Sequence, residues 1–103
     1  MDVRYTIGKN EYKRMTTGEL RDSFLISLFE TGKLNLLYCE VERGIVGAAV
    51  PTGSSLALEA RKELAADYFC QRREVGVLNI GGDGTVTVDG IEYTMGNIDG
   101  LYI

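Results

Sequence analysis

From Val75 onward the chain is cut into pieces too short for anything but β-strands. Val75-Gly76-Val77-Leu78-Asn79-Ile80 is followed by Gly81-Gly82-Asp83-Gly84, then Thr85-Val86-Thr87-Val88, Asp89-Gly90, Ile91-Glu92-Tyr93-Thr94-Met95, Gly96-Asn97-Ile98-Asp99-Gly100 and Leu101-Tyr102-Ile103. Apolar or alternating runs of this length, separated by clusters of Gly, Asp and Asn, are the pattern of short strands joined by tight turns. Asp89-Gly90 between alternating residues predicts a two-residue hairpin, because a type I′ turn needs positive φ at both central positions and these residues tolerate it best. Strands so short and regularly spaced predict a mainly β fold, an antiparallel barrel or jelly roll with one or two short helices.

The upstream sequence agrees in part. Leu34 to Glu42 alternates at its end, Arg43-Gly44 predicts a turn, and Ile45 to Val50 is a second apolar run closed by Pro51-Thr52-Gly53-Ser54, which together predict a hairpin or meander. Ser55 to Glu59 reads as a further short strand, and Ala60 to Asp67 (ARKELAAD) as a short helix from its composition. Leu20, Phe24, Leu25 and Leu28 share one helical face, with Thr16 or Thr17 as cap and Glu19 near the amino end, so a short helix is expected over residues 18–23. Phe24 to Phe29 (FLISLF) is also a plausible strand, and periodicity leaves the choice open. Residues 1–17 are polar and aperiodic apart from Tyr5, Ile7 and Tyr12; they read as an extended or irregular arm that must dock on something larger, beside a β domain over residues 18–103.

Composition narrows the function. A chain of 103 residues, 45% hydrophobic and 25% charged, makes one small folded domain. Its net charge of −4 supplies no basic field, which argues against nucleic acid or an acidic membrane surface as partner. There is no histidine, so a Ser-His-Asp relay, a Cys-His pair or a His-ligated zinc cannot be built from these residues alone. No apolar run approaches the roughly 18 residues of a membrane span, and the amino terminus lacks the pattern of a secretory leader, so a reduced cytoplasmic protein is expected.

The remaining motifs have bland readings. Gly81-Gly82-Asp83-Gly84 lacks the Lys-Ser/Thr and the following helix of a phosphate loop, and as a calcium loop it would place Gly81 and Gly90 where ligands are needed, so it reads as a turn. Cys39 and Cys70 both fall in expected strands beside aromatic residues, the setting of inert buried thiols. Arg72-Arg73-Glu74 reads either as a solvated edge or as an arginine pair facing a carboxylate substrate or another subunit.

Glu74 and Gly81 have the spacing of the Glu and Gly in the first cupin motif, and Gly84, Asp89-Gly90, Gly96 and Asp99 fall at its usual turns. This resemblance implies a cupin-type β-roll, incomplete at its C-terminal end because the second motif would begin past Ile103. Where the motif places two metal-binding histidines, this chain has Tyr68 and Cys70, so zinc is expected not to bind among Tyr68, Cys70 and Glu74.

The whole chain is similar to the amino-terminal part of the 5-keto-4-deoxyuronate isomerase family, the 4-deoxy-L-threo-5-hexosulose-uronate ketol-isomerases. The resemblance is carried by Met1-Asp2-Val3-Arg4, Leu20-Arg21-Asp22-Ser23-Phe24-Leu25, Ile45-Val46-Gly47, Tyr68-Phe69 and, above all, Arg72 to Gly82 (RREVGVLNIGG). It implies an intact enzyme more than twice as long, with two cupin-like domains, a hexameric assembly and a zinc site in the carboxyl-terminal half. The activity implied is the interconversion of 5-keto-4-deoxyuronate and 3-deoxy-D-glycero-2,5-hexodiulosonate in pectin-derived uronate breakdown. On that resemblance the present residues include no catalytic, cofactor-binding or metal-binding group. Their partners would be the carboxyl-terminal half and neighbouring subunits, and the sugar acid would be a substrate of the intact enzyme only. The rival expectation is a stand-alone, non-catalytic cupin-like binding or assembly module.

A roll that stops at Leu101-Tyr102-Ile103 should leave an apolar, unpaired edge. The isolated chain is therefore expected to self-associate, and a monomer at high concentration in light scattering would contradict this.

Overall fold

The computed structural model describes residues 1–103. Seven strands and two short α-helices follow one another as β1 (Asp2–Arg4), α1 (Lys9–Tyr12), α2 (Thr17–Phe24), β2 (Leu34–Cys39), β3 (Gly44–Ala49), β4 (Gly76–Leu78), β5 (Gly84–Val88), β6 (Ile91–Met95) and β7 (Gly100–Tyr102). They form three open sheets, ordered β1-β2-β3, β4-β7 and β5-β6. The architecture is thus mainly β and unclosed, consistent with part of a β-roll. It departs from a purely antiparallel barrel in one pairing, since β1 lies parallel to β2.

The hairpin expected over residues 34–50 is present, with Leu34 opposite Ala49 and Cys39 opposite Gly44. Its turn differs from the expectation. The left-handed positions are Glu42 (φ 58°) and Arg43 (φ 52°) in a 3₁₀ turn over Val41–Arg43, while Gly44 is extended and opens β3. Two side-chain-bearing residues thus occupy a region that costs about 1–2 kcal/mol each without glycine. The second expected hairpin forms as read: Val88 faces Ile91 across Asp89 (φ 50°) and Gly90 (φ 80°), both left-handed as a type I′ turn requires. This hairpin is inserted between β4 and β7, whose pairing sets Gly76 opposite Tyr102 and Leu78 opposite Gly100.

Helix α2 starts where the sequence suggests. The Thr16 hydroxyl accepts from the Glu19 amide at 3.2 Å and donates to the Glu19 carboxylate at 3.0 Å, a reciprocal cap. The helix stops at Phe24, and residues 25–30 take neither helix nor strand. Arg4 fixes this segment by donating both terminal guanidinium nitrogens, at 3.1 Å, to the Leu25 carbonyl. The arm is therefore docked on the chain itself: β1 pairs with β2, and the Glu40 carboxylate accepts from the Thr6 amide at 2.8 Å. Its single helical turn, α1, is absent from the sequence reading.

Three further expectations are corrected. Ser55–Glu59 forms no strand, because no neighbouring strand takes up its backbone groups. Ala60–Asp67 yields only a 3₁₀ turn, Lys62–Leu64, which has no side-chain cap at Arg61 and is ended by Ala65 in the left-handed region. Cys70 lies in a 3₁₀ turn, Phe69–Gln71, rather than in a strand.

Burial is scarce. Only Leu37, Ala48, Leu64, Phe69 and Met95 are buried, and no side chain is wholly enclosed. The accessible surface is 7952 Å², whereas a folded monomer of 11.3 kDa exposes about 5,700 Å². The radius of gyration, 15.9 Å, likewise exceeds the roughly 13 Å of an ordinary domain this long. Phe29, Leu78 and Tyr102 remain 70%, 62% and 72% exposed.

Leu37, at the centre of β2 and 4% exposed, is the best-packed strand residue of the three-stranded sheet. Leu37→Ala is expected to cost about 2–4 kcal/mol, read as a lower urea midpoint at unchanged slope. Gly47→Ala should also destabilise, since its Cβ would lie 2.6 Å from Leu36 Cδ2 and 3.2 Å from the Asn35 carbonyl oxygen.

Candidate functional site

The block from Tyr68 to Gly82 joins the 3₁₀ turn at Phe69–Gln71 to β4. Phe69 points inward at 8% exposure, and the Gln71 side-chain oxygen accepts from the Asp67 amide at 2.7 Å, which holds the turn closed. The Arg73 guanidinium lies 5.8 Å from the Phe69 ring centre, a cation–π contact that covers the aromatic face. Arg73 is half-buried and Arg72 exposed, so the two arginines differ in role: one packs, the other faces solvent. Glu74 is exposed beside Tyr102 of β7, and its carboxylate pushes the Tyr102 phenol above the ordinary tyrosine range, through a hydrogen bond first and then by loss of hydration. Arg73 is thus packed within the chain, while Glu74 stays exposed near Tyr102.

The cupin-like positions do not assemble into a metal cage. Tyr68 is 61% exposed, Cys70 is half-buried with a free thiol, and Glu74 is exposed. Nowhere do three His, Cys, Asp or Glu side chains converge. A phenol, one thiol and a hydrogen-bonded carboxylate are a poor donor set for zinc, which favours imidazole and thiolate in a tetrahedron. Cys39 ends β2, half-buried and also free.

The residue that sequence reasoning undervalued is Asn79. Its Nδ2 donates to the carbonyls of Gly82 at 2.8 Å, Gly96 at 3.0 Å and Met95 at 3.1 Å, while its Oδ1 accepts from the Gly81 amide at 3.0 Å. Two N–H groups serving three carbonyls share at least one hydrogen, so this side chain locks two turns that are remote in sequence. Asp99 adds to the lock by accepting from the Gly96 amide at 2.7 Å, and Asn97 by donating to the Gly81 carbonyl at 2.8 Å. An Asn just past a strand and two residues before Gly81 was the available signal, because its short amide readily bonds backbone two residues on.

Two hollows bear on what the chain could bind. One, of about 350 Å³, is lined by residues that include Met1, Asp2, Glu30, Asn35 and Arg61, and mixes both signs of charge. Near it the Met1 ammonium lies 3.7 Å from Glu63, and Lys33 pairs with Glu30; both carboxyls are held below the usual range, Glu63 chiefly by a backbone hydrogen bond and Glu30 chiefly by Lys33. The other, of about 420 Å³, is a shallow apolar depression on the β4–β7 ribbon. The charged groups of the first are paired in part, Glu30 with Lys33, and the second carries none.

No family model matches the chain. Curated relatives do. A protein of Shouchella clausii named 4-deoxy-L-threo-5-hexosulose-uronate ketol-isomerase is 49% identical over all of this chain, which covers 38% of that relative. Proteins of the same name from Caldicellulosiruptor bescii and Formosa agariphila are 45% and 46% identical over 100% and 99% of the chain, or 38% and 37% of the relatives. The chain therefore spans less than two-fifths of the length of these relatives and corresponds to their amino-terminal part, as its resemblance implied.

A raised phenol is held in its neutral form. The pair's contribution is thus present below the ordinary tyrosine value and is lost as pH rises through the raised one. Titrating Tyr102 by NMR should show ionisation above the ordinary tyrosine range, and Glu74→Gln should bring it down. Equal values in both proteins would rule out the contact.

Proposed function

We propose that this chain is the amino-terminal, supporting part of a ketol-isomerase that interconverts 5-keto-4-deoxyuronate and 3-deoxy-D-glycero-2,5-hexodiulosonate in the breakdown of pectin-derived uronates. The observation that carries the reading is the 45–49% identity, over the whole chain, to proteins named for that reaction, of which the chain makes up only 38%. The reaction must polarise a carbonyl and carry a proton through an enediol, which calls for a Lewis acid or charged donor beside a base of matched pKa. With no histidine and no converging donors, these residues do not fit zinc. The metal of the intact enzyme, and its base, belong in this reading to the remaining three-fifths of the polypeptide.

The role left to this part is positional. Its surplus of exposed surface, about 2,200 Å² above that of a self-sufficient domain, suits a piece that packs on the catalytic part and on neighbouring subunits of a cytoplasmic homo-oligomer. No helix is long and apolar enough to cross a membrane. Misplacement of a positioned site by one ångström costs on the order of a hundredfold in rate, so a supporting part governs turnover without touching substrate.

The test compares the full-length protein with the 103-residue chain, each given 5-keto-4-deoxyuronate and zinc. Turnover is expected from the first and not from the second; comparable rates would place the active site in the wrong part. Deleting residues 1–17 from the full-length protein should weaken assembly and turnover together, whereas a stand-alone binding module would show no isomerisation at any length.

A further inference from the structure

The apolar hollow on the β4–β7 ribbon has a specific shape. Paired residues of an antiparallel ribbon share a face, so Gly76 with Tyr102 and Leu78 with Gly100 lie together on one side, while Val77 and Leu101 lie on the other. Each large side chain on the first side is set against a glycine. An added Cβ at Gly76 would meet nothing within 4 Å, and φ there is not left-handed, so the backbone does not require glycine at this position. Leu78 and Tyr102 on this side are 62% and 72% exposed, and Val77 and Leu101 line the hollow with them. A bare patch of ribbon between two exposed apolar walls accepts a bulky side chain from outside.

We propose that this hollow seats an apolar segment of the same polypeptide, lying beyond Ile103, with one bulky side chain over Gly76. The inference rests on the reading of the chain as the amino-terminal part of a longer enzyme. Three observations favour this occupant over a second copy. The relatives extend well past the matched residues, since the chain covers only 38% of them. Ile103 is bonded in both directions to Val75, at 2.8 and 2.9 Å, so the continuing chain leaves from the end of the ribbon itself. A segment tethered there reaches the hollow at an effective concentration in the millimolar range, without the entropy cost of bimolecular association.

The test uses the full-length protein and needs no activity. Leu78→Cys and, as an exposed reference, Thr87→Cys are labelled with a maleimide, and each modified peptide is quantified by mass spectrometry. Leu78→Cys is expected to react at least tenfold more slowly than Thr87→Cys, by a factor that does not change with protein concentration. Adding Gly76→Val, which fills the seat without straining the strand, should remove most of that protection while circular dichroism is unchanged; Gly76→Ala should act in the same direction and less. Equal labelling at both sites would overturn the proposal, and so would protection that grows with concentration, which would assign the hollow to a second copy. Protection without isomerase turnover would leave the seat standing and remove only the functional reading.

Discussion

A two-stranded ribbon satisfies one side of each strand's backbone and covers almost nothing, and this shortage of mutual burial governs the whole structure. Two of the three sheets have only two strands, and five side chains are buried in all. Isolated hairpins are marginal in water, and a chain this small must bury most of its apolar area to offset the entropy of ordering it. The elements are locally well specified and collectively under-packed. The exposed Phe24 at the end of α2, Leu25, Ile26 and Phe29 just after it, and Leu78 and Tyr102 of the ribbon, are the side chains that a larger assembly would cover.

Polar contacts do much of the holding where apolar packing is thin. Arg4 clamps the Leu25 carbonyl, Glu40 receives the Thr6 amide, and Asn79 joins the turns at either end of the β5–β6 hairpin. Bonds of this kind contribute about 0.5–1.5 kcal/mol each, so their value lies in fixing geometry more than in bulk stability. Arg73 on Phe69 and Glu74 beside Tyr102 belong to the same class. The block of sequence that most strongly carries the family resemblance is therefore also the block that ties the 3₁₀ turn, the ribbon and the hairpin together. That coincidence gives the supporting role a physical content: the block sets the orientation of a surface rather than the reactivity of a group.

The sequence by itself determined what depends on local chemistry. Turn residues fixed the β5–β6 hairpin, because Asp89-Gly90 meets a backbone requirement that few pairs meet. Thr16 and Glu19 fixed the start of α2 by a cap contained within four residues. Missing histidines limited the chemistry, and the Arg72–Gly82 block pointed to relatives that the comparisons bear out. The tertiary structure decided what depends on a partner distant in sequence. Whether Phe24–Phe29 and Ser55–Glu59 become strands turns on a neighbour to take their hydrogen bonds, and neither has one. The parallel docking of β1 and the bonds of Asn79 to Met95 and Gly96 require residues more than a turn away. Local propensity cannot see such partners, because strand pairing is set by contacts that the order of residues does not place side by side.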